Sequence, residues 1–214
     1  GDGGKADALK EALERHDIDF LRDEYPDAIV QAQAGVDQIT SIVGAVKQFS
    51  QADQGCHERI DLADVIRNAL ELSRRTWSLV ADVIFDADDR LSPIQGNAPA
   101  LGQVVINLIV NASDAIAEQS RNDRGKIEVQ LHEDDQGIVL RITDDGVGIA
   151  PDHLDRVFDL FFTTKPPGEG TGQGLAVAHT IITQEHGGGF SVDSRPGEGT
   201  TFSIVLPKAL EMAA

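Results

Sequence analysis

Four glycines alternate along "GEGTGQGLA", at positions 168, 170, 172 and 174, and a helix-like run, "LAVAHTIITQEHGG", overlaps its end. Glycine carries an entropy cost wherever it is ordered, so this density marks a backbone that something approaches closely. Bare backbone N–H groups followed by a helix N-terminus attract anionic oxygens, and the chemistry this spacing suits is phosphate binding. Two familiar phosphate sites do not match. The GK pairs are Gly4-Lys5 and Gly125-Lys126, and neither is followed by the Ser or Thr of a P-loop. After Gly170 and Gly172 the third position of a dinucleotide fingerprint is Leu175, and the preceding "TTKPPGE" is not a strand.

Three other stretches carry groups able to do chemistry. In "NLIVNASDA", Asn107 and Asn111 lie four apart on one helix face, and Asp114 extends that face with a carboxylate. Read alone, the amides are either exposed or buried and in need of partners. In "ITDDGVGI" a strand ends at Asp144, followed by Gly146 and Gly148. A carboxylate there can accept a hydrogen bond from an amino group, and the glycines let a flat ring approach the backbone. Read alone, the same residues also suit a simple turn. "FDLFFTTK" holds three phenylalanines and then Lys165, just before the glycine stretch. The histidines at 57, 132, 153, 179 and 186 read as structural or solvated, and the glycines near 187–189 and 197–199 as turns.

The elements that must position these groups fall into two regions. Ile18, Tyr25, Ala32, Ile39 and Val46 form one heptad row, and Ile29, Val36 and Val43 the other. Alternating spacings of three and four predict a helix in a coiled-coil or bundle seam, continuous from Tyr25 to Phe49 with Pro26 in its first turn. Such a helix needs a partner to bury its stripe. "SQADQGCHER" reads as a loop. Beyond it the pattern is mixed. "DLADVIRNALELSRR" is helical with Asp61 as N-cap, and "NAPALGQVVINLIVNASDAIAEQ" is a long helix with Asn97 near its cap and Pro99 in its first turn. "ADVIFDA" alternates as a strand. "KIEVQLHE" and "GIVLRITD" form a hairpin about "DDQG", and "GFSVDS" and "TFSIVLP" surround the turn "RPGEG". "PDHLDRVF" reads as a short helix, and another follows the glycines over 174–186. Helices on one side of a mostly antiparallel sheet predict an α+β sandwich. The boundary expected between the two regions divides 1–55 from 56–214.

Composition narrows the function classes. The 214 residues carry a net charge of −18, which opposes a nucleic-acid or anionic-membrane surface and otherwise serves solubility. One cysteine, Cys56, allows no internal disulfide. No run of about 18 apolar residues and no signal peptide is evident. The opening "GDGG" reads as a linker or a cut end.

Taken together, the boxes resemble those of the sensor histidine kinase catalytic domain, in the ATPase superfamily shared with DNA gyrase, the Hsp90 chaperones and MutL. "NLIVNASDA" resembles the N box, "DDGVGI" the first glycine box, "FDLFFTTK" the phenylalanine box, "GEGTGQGLA" the second glycine box and "GEGTTFSIVLP" the last strand. Five motifs in the family's order across 97–207 make the resemblance specific. It implies a two-layer Bergerat-type fold with a mixed, mostly antiparallel sheet, and Mg²⁺ and ATP as ligands. Asn111 would be the Mg²⁺ ligand. Asn107 and Lys165 would act near the triphosphate as the catalytic pair, Lys165 by neutralising phosphate charge. Hydrolytic relatives carry a glutamate at the position of Asn107; an amide is no general base, which suits holding ATP rather than hydrolysing it. Asp144 would read the adenine amino group, Gly146 and Gly148 would shape its pocket, and Thr200 would support the ring through water. Gly170, Thr171, Gly172, Gly174 and Leu175 would belong to the lid. Where many relatives carry a basic residue near the end of the N box, this chain has Asp114.

The resemblance also implies partners. The seam helix, ending in "VKQFS", resembles the second helix of the family's dimerisation hairpin. His16-Asp17 begins like a phosphoacceptor motif, but Leu21 stands where proline is usual, and His16 lies ahead of the wrong helix. The expectation is therefore a phosphoacceptor histidine upstream, a response-regulator aspartate downstream, a homodimer, and a cytoplasmic location with any inner-membrane tether in other segments. The alternatives are a stand-alone ATPase or a serine kinase of the same superfamily, or a binding module whose nucleotide site is only structural.

Overall fold

A computed structural model describes residues 57–119, 121, 123–166 and 170–208. The expected seam helix, His16, Cys56 and Gly168 lie outside the described residues, so the boundary at 55/56 stays an expectation.

Strand β1 (Glu58–Ile60) leads into helix α1 (Leu62–Leu72). Asp61 caps that helix as its sequence predicts, its carboxylate accepting from the backbone N–H of Ala63 at 2.8 Å. Helix α2 (Arg74–Trp77) is one turn, and strands β2 (Ala81–Ala87) and β3 (Ile94–Gly96) follow. Helix α3 (Ala98–Glu118) starts at Asn97, whose side chain accepts from Ala100 N–H at 3.2 Å, with Pro99 in the first turn. Next come β4 (Gly125–Glu133), β5 (Ile138–Asp144), α4 (Pro151–Leu154), α5 (Gly174–Thr180), β6 (Gly189–Arg195) and β7 (Gly199–Leu206).

The five-stranded sheet runs β2-β4-β5-β7-β6. Only the β2–β4 pair is parallel, and β1 and β3 form a separate antiparallel pair. The fold is thus an α+β two-layer sandwich with a mixed, mostly antiparallel sheet. Alternation along the strands sends Ile127, Val129 and Leu131, Leu140 and Ile142, and Phe202, Ile204 and Leu206 inward. Against them α3 buries Leu101, Val104, Val105, Leu108, Ile109, Ala112 and Ile116, each large side chain contributing about 1.5–3 kcal/mol. Helix α3 is long and apolar enough by length and composition to cross a membrane. Its packing against α1, α5 and β5 shows it instead as the core helix of this domain.

Three expectations change. "SQADQGCHER" is not all loop, because Glu58–Ile60 pairs with Ile94–Gly96. The "PDHLDRVF" helix stops at Leu154 and continues in turns. The helix over 174–186 is α-helical only to Thr180 and then widens to a π-helical turn over Ile181–Glu185. There Thr180 and Thr183 hydroxyls donate to the carbonyls four residues back, at 3.1 and 2.7 Å. Glu133 gathers Ser92 N–H at 2.7 Å, Ser92 Oγ at 3.0 Å and Lys208 Nζ at 2.8 Å. These contacts tie the chain after β7 to the sheet and hold its carboxyl down at about 2.

Candidate functional site

A cavity of about 410 Å³ opens between α3, the turn after β5, the Phe162–Lys165 segment and the start of α5, with Thr200 and Phe202 of β7 in its wall. Of the twelve residues the sequence singles out as binding groups, eleven line it: Asn107, Asn111, Asp144, Gly148, Lys165, Gly170, Thr171, Gly172, Gly174, Leu175 and Thr200. Gly146 does not. A Cβ there would lie 2.7 Å from Ala115 of α3, and Val147 N–H donates to Ala115 O at 3.1 Å. Gly146 therefore lets the turn close onto α3 and works behind the wall rather than on it.

One end of the cavity is built around Asp144. The residue is 5% exposed, and its side chain accepts from Gly146 N–H at 2.9 Å. Burial pushes its carboxyl up to about 6, against the pull of the Gly146 and Thr200 N–H groups and with the help of the neighbouring Asp145 charge. Two glycines hold this end together. Gly148 has φ +72° and a Cβ would sit 2.1 Å from Arg195 O. Gly199 has φ +105° and a Cβ would sit 2.0 Å from Asp144 O. Ser194, for which the sequence offers no signal, joins the pieces. Its hydroxyl accepts from Ile149 N–H at 2.8 Å and donates to Gly199 O at 2.8 Å. Its single proton is thereby used, so in the 2.9 Å Ser194–Thr200 contact Thr200 donates. Thr200 Oγ1 is left with lone pairs. Asp144 and Thr200 both present acceptors, which suits a ligand edge that donates, such as an aromatic amine.

The other end is polar. Asn107 Nδ2 donates to Gly174 O at 3.2 Å and its Oδ1 accepts from Gln103 at 2.8 Å, so this amide joins α3 to the start of α5. Asn111 lines the cavity, and none of the hydrogen bonds among the described residues occupies its amide. One turn on, the Asp114 carboxylate forms an ion pair with Lys165 Nζ. Gly172 has φ +62°, and its carbonyl accepts from Phe161 N–H at 2.8 Å. Phe161 itself takes φ 69°, the one positive φ outside glycine among the described residues. Sequence reasoning missed Ala115 and Glu118 as lining groups, although they follow Asn111 at helical spacing; Val147, Ile149 and Val157 are apolar wall residues with no distinguishing pattern.

The donor set can be tested against the expected cation. Among the described residues no group of three or more His, Cys, Asp or Glu side chains forms a metal cage. One free amide oxygen at a cavity suits Mg²⁺, which keeps several waters, binds substrate phosphates and asks few ligands of the protein. The residues fit such an ion.

Comparison with known proteins agrees with this geometry. The family described as "Histidine kinase-, DNA gyrase B-, and HSP90-like ATPase" matches residues 96–210, more than half of the chain. The chain belongs to that family. Within it, the chain is 38% identical over 172 residues to the sensor histidine kinase ZraS of Escherichia coli K12, covering 80% of this chain and 35% of ZraS. It is 34% identical over 197 residues to the sensor kinase CckA of Brucella abortus, covering 87% of this chain and 21% of CckA. Among solved structures, a mycobacterial sensor histidine kinase, MprB, superposes with a TM-score of 0.57 at 34% identity, over 71% of this chain and 97% of that one. The catalytic domain of histidine kinase ThkA gives 0.61 at 27% identity, over 71% and 95%. The fold and boxes are those of the histidine kinase ATP-binding catalytic domain. The chain spans about a third or less of the length of the two curated relatives.

Proposed function

We propose that this chain is the ATP-binding catalytic core of a two-component sensor histidine kinase. The adenine amino group would donate to Asp144, with Thr200 accepting alongside, and the triphosphate would lie towards Asn111 and the glycines at 170, 172 and 174. Mg²⁺ held by Asn111 would shield the charge on the phosphate oxygens. The acceptor is an imidazole that this chain does not supply: its nitrogen bonds to the γ-phosphorus as the bond to the ADP oxygen breaks. The phosphoryl group then passes to an aspartate of a response regulator. Catalysis on this side is positioning and electrostatics, with no covalent chemistry asked of the chain. Dimerisation through the seam helix and a cytoplasmic location belong to the same proposal.

The observation that carries the transferase reading is at position 107. An amide stands there, engaged by Gln103 and Gly174, where a hydrolase needs a base. The test is to give the chain Mg²⁺ and γ-labelled ATP. The expected result is bound ATP with the label retained, and transfer of the label to protein when the longer kinase carrying its histidine is used. Rapid release of free phosphate by this chain would favour the ATPase reading instead.

A further inference from the structure

The ion pair between Asp114 and Lys165 crosses the cavity at its polar end, joining α3 to the segment after the phenylalanines. Lys165 is the single basic side chain among the described residues lining the cavity, which also holds the carboxylates of Asp114, Glu118 and Asp144. A polyphosphate therefore meets a site with more negative than positive groups, and its one cation is already engaged. The backbone of Lys165 is held in place: its N–H donates to Thr163 Oγ1 at 3.1 Å, and a Cβ on Gly170 would approach its side chain to 3.2 Å. The far end of the side chain is the part free to change partner. Both side chains are partly exposed, 34% for Lys165 and 42% for Asp114, and an ion pair in contact with water exchanges readily.

We propose that Asp114 is an inhibitory partner of Lys165: the nucleotide phosphates must take the ammonium from this carboxylate, and Asp114 thereby lowers the affinity of the site for polyphosphate. The proposal rests on the ATP reading above and deepens it. It assigns Asp114 a role opposite to that of a basic residue at the same place. The consequence is a site that lets nucleotide go easily, so that spent ADP is exchanged for ATP.

The test is calorimetric titration of Mg²⁺-ATP and of adenosine into the wild-type chain, D114N, K165Q and the double variant, at one ionic strength, with thermal melting to verify folding. D114N should bind ATP about fivefold more tightly, the size expected for releasing a part-exposed ion pair, with adenosine affinity unchanged. K165Q should bind ATP more weakly, and D114N should give a smaller gain on the K165Q background than on the wild type. If D114N melts early, D114S serves in its place. Weaker ATP binding by a folded Asp114 variant would overturn the proposal, since the carboxylate would then be holding Lys165 ready or touching the ligand. An equal gain in both backgrounds would overturn it too, because Asp114 would be acting through its charge alone. Wild-type chain that binds adenosine and ATP equally poorly would sink the ATP reading and this inference with it.

Discussion

At the scale of single residues, Asp144 shows binding and stability pulling in opposite directions. Its carboxyl is held up at about 6, against an ordinary 3.8. Between those values the folded chain binds a proton that the unfolded chain does not, so this group's contribution to stability falls as pH rises through about 4–6. Above that window the ionised, buried carboxylate costs about 3 kcal/mol. Asp144→Asn keeps an oxygen for Gly146 N–H and removes the charge. At pH 8 the variant should melt at or above the wild-type temperature while binding ATP about 10–100-fold more weakly, the loss of one hydrogen bond to a charged acceptor. Paired melting curves and titrations check both halves. The same ionisation sets a pH profile: wild-type ATP affinity should weaken as pH falls below about 6, because the protonated carboxyl is neutral and a weaker acceptor. A flat profile from pH 7.5 to 5.5 would remove Asp144 from the recognition of the base.

At the scale of elements, the start of α3 is fastened to the end of the π-helical turn by one side chain. Asn97 N–H donates to His186 Nε2 at 3.0 Å, so the proton sits on Nδ1, which donates to Ile181 O at 2.8 Å. Burial lowers the His186 pKa first of all, and the nearby His57 adds to this. Where the unfolded imidazole takes a proton and the folded one refuses it, stability is lost as pH falls. The contribution is complete above the ordinary histidine value of about 6.5 and declines below it. His186→Phe should cost about 1–3 kcal/mol by leaving Asn97 N–H and Ile181 O without their partner, and should flatten the melting temperature's dependence on pH just below 6.5. Thermal melts across pH 5–8 compare the two. Much at this scale is legible from order alone. Asp61 and Asn97 with Pro99 announce their helices, and "DDQG" and "RPGEG" their hairpins, because caps and turns are local chemistry. The three-residue strands β1 and β3 are too short to carry a period, and the parallel β2–β4 pairing joins distant segments. At the site, eleven of the named binding residues converge as the box order implies. Gly146 was legible as necessary but not as lying behind the wall. The Asp114–Lys165 pair spans 51 residues, and no local pattern encodes it.

At the scale of the whole molecule the deciding quantity is charge. Thirty-six acidic residues face eighteen basic ones, for a net charge of −18. A chain so charged repels itself, and it also repels an anionic nucleotide arriving from solution. Lys165 offers the cavity a local attraction, but Asp114 engages it, and Asp144 and Glu118 line the same space. The long-range repulsion should therefore govern the encounter. Screening shortens from about 30 Å at 0.01 M salt to about 8 Å at 0.15 M, so added KCl removes most of the repulsion before it disturbs contacts within the cavity. Over that range the melting temperature should rise. The association rate of Mg²⁺-ATP should rise as well, by about two- to fivefold, opposite to the fall seen when a site steers its ligand electrostatically. Stopped-flow binding of a fluorescent ATP analogue measures the rate directly. A rate that falls with salt would mean that the cavity's own field is attractive despite the carboxylates around it. In that case Lys165 would have to be free of Asp114 when the nucleotide arrives.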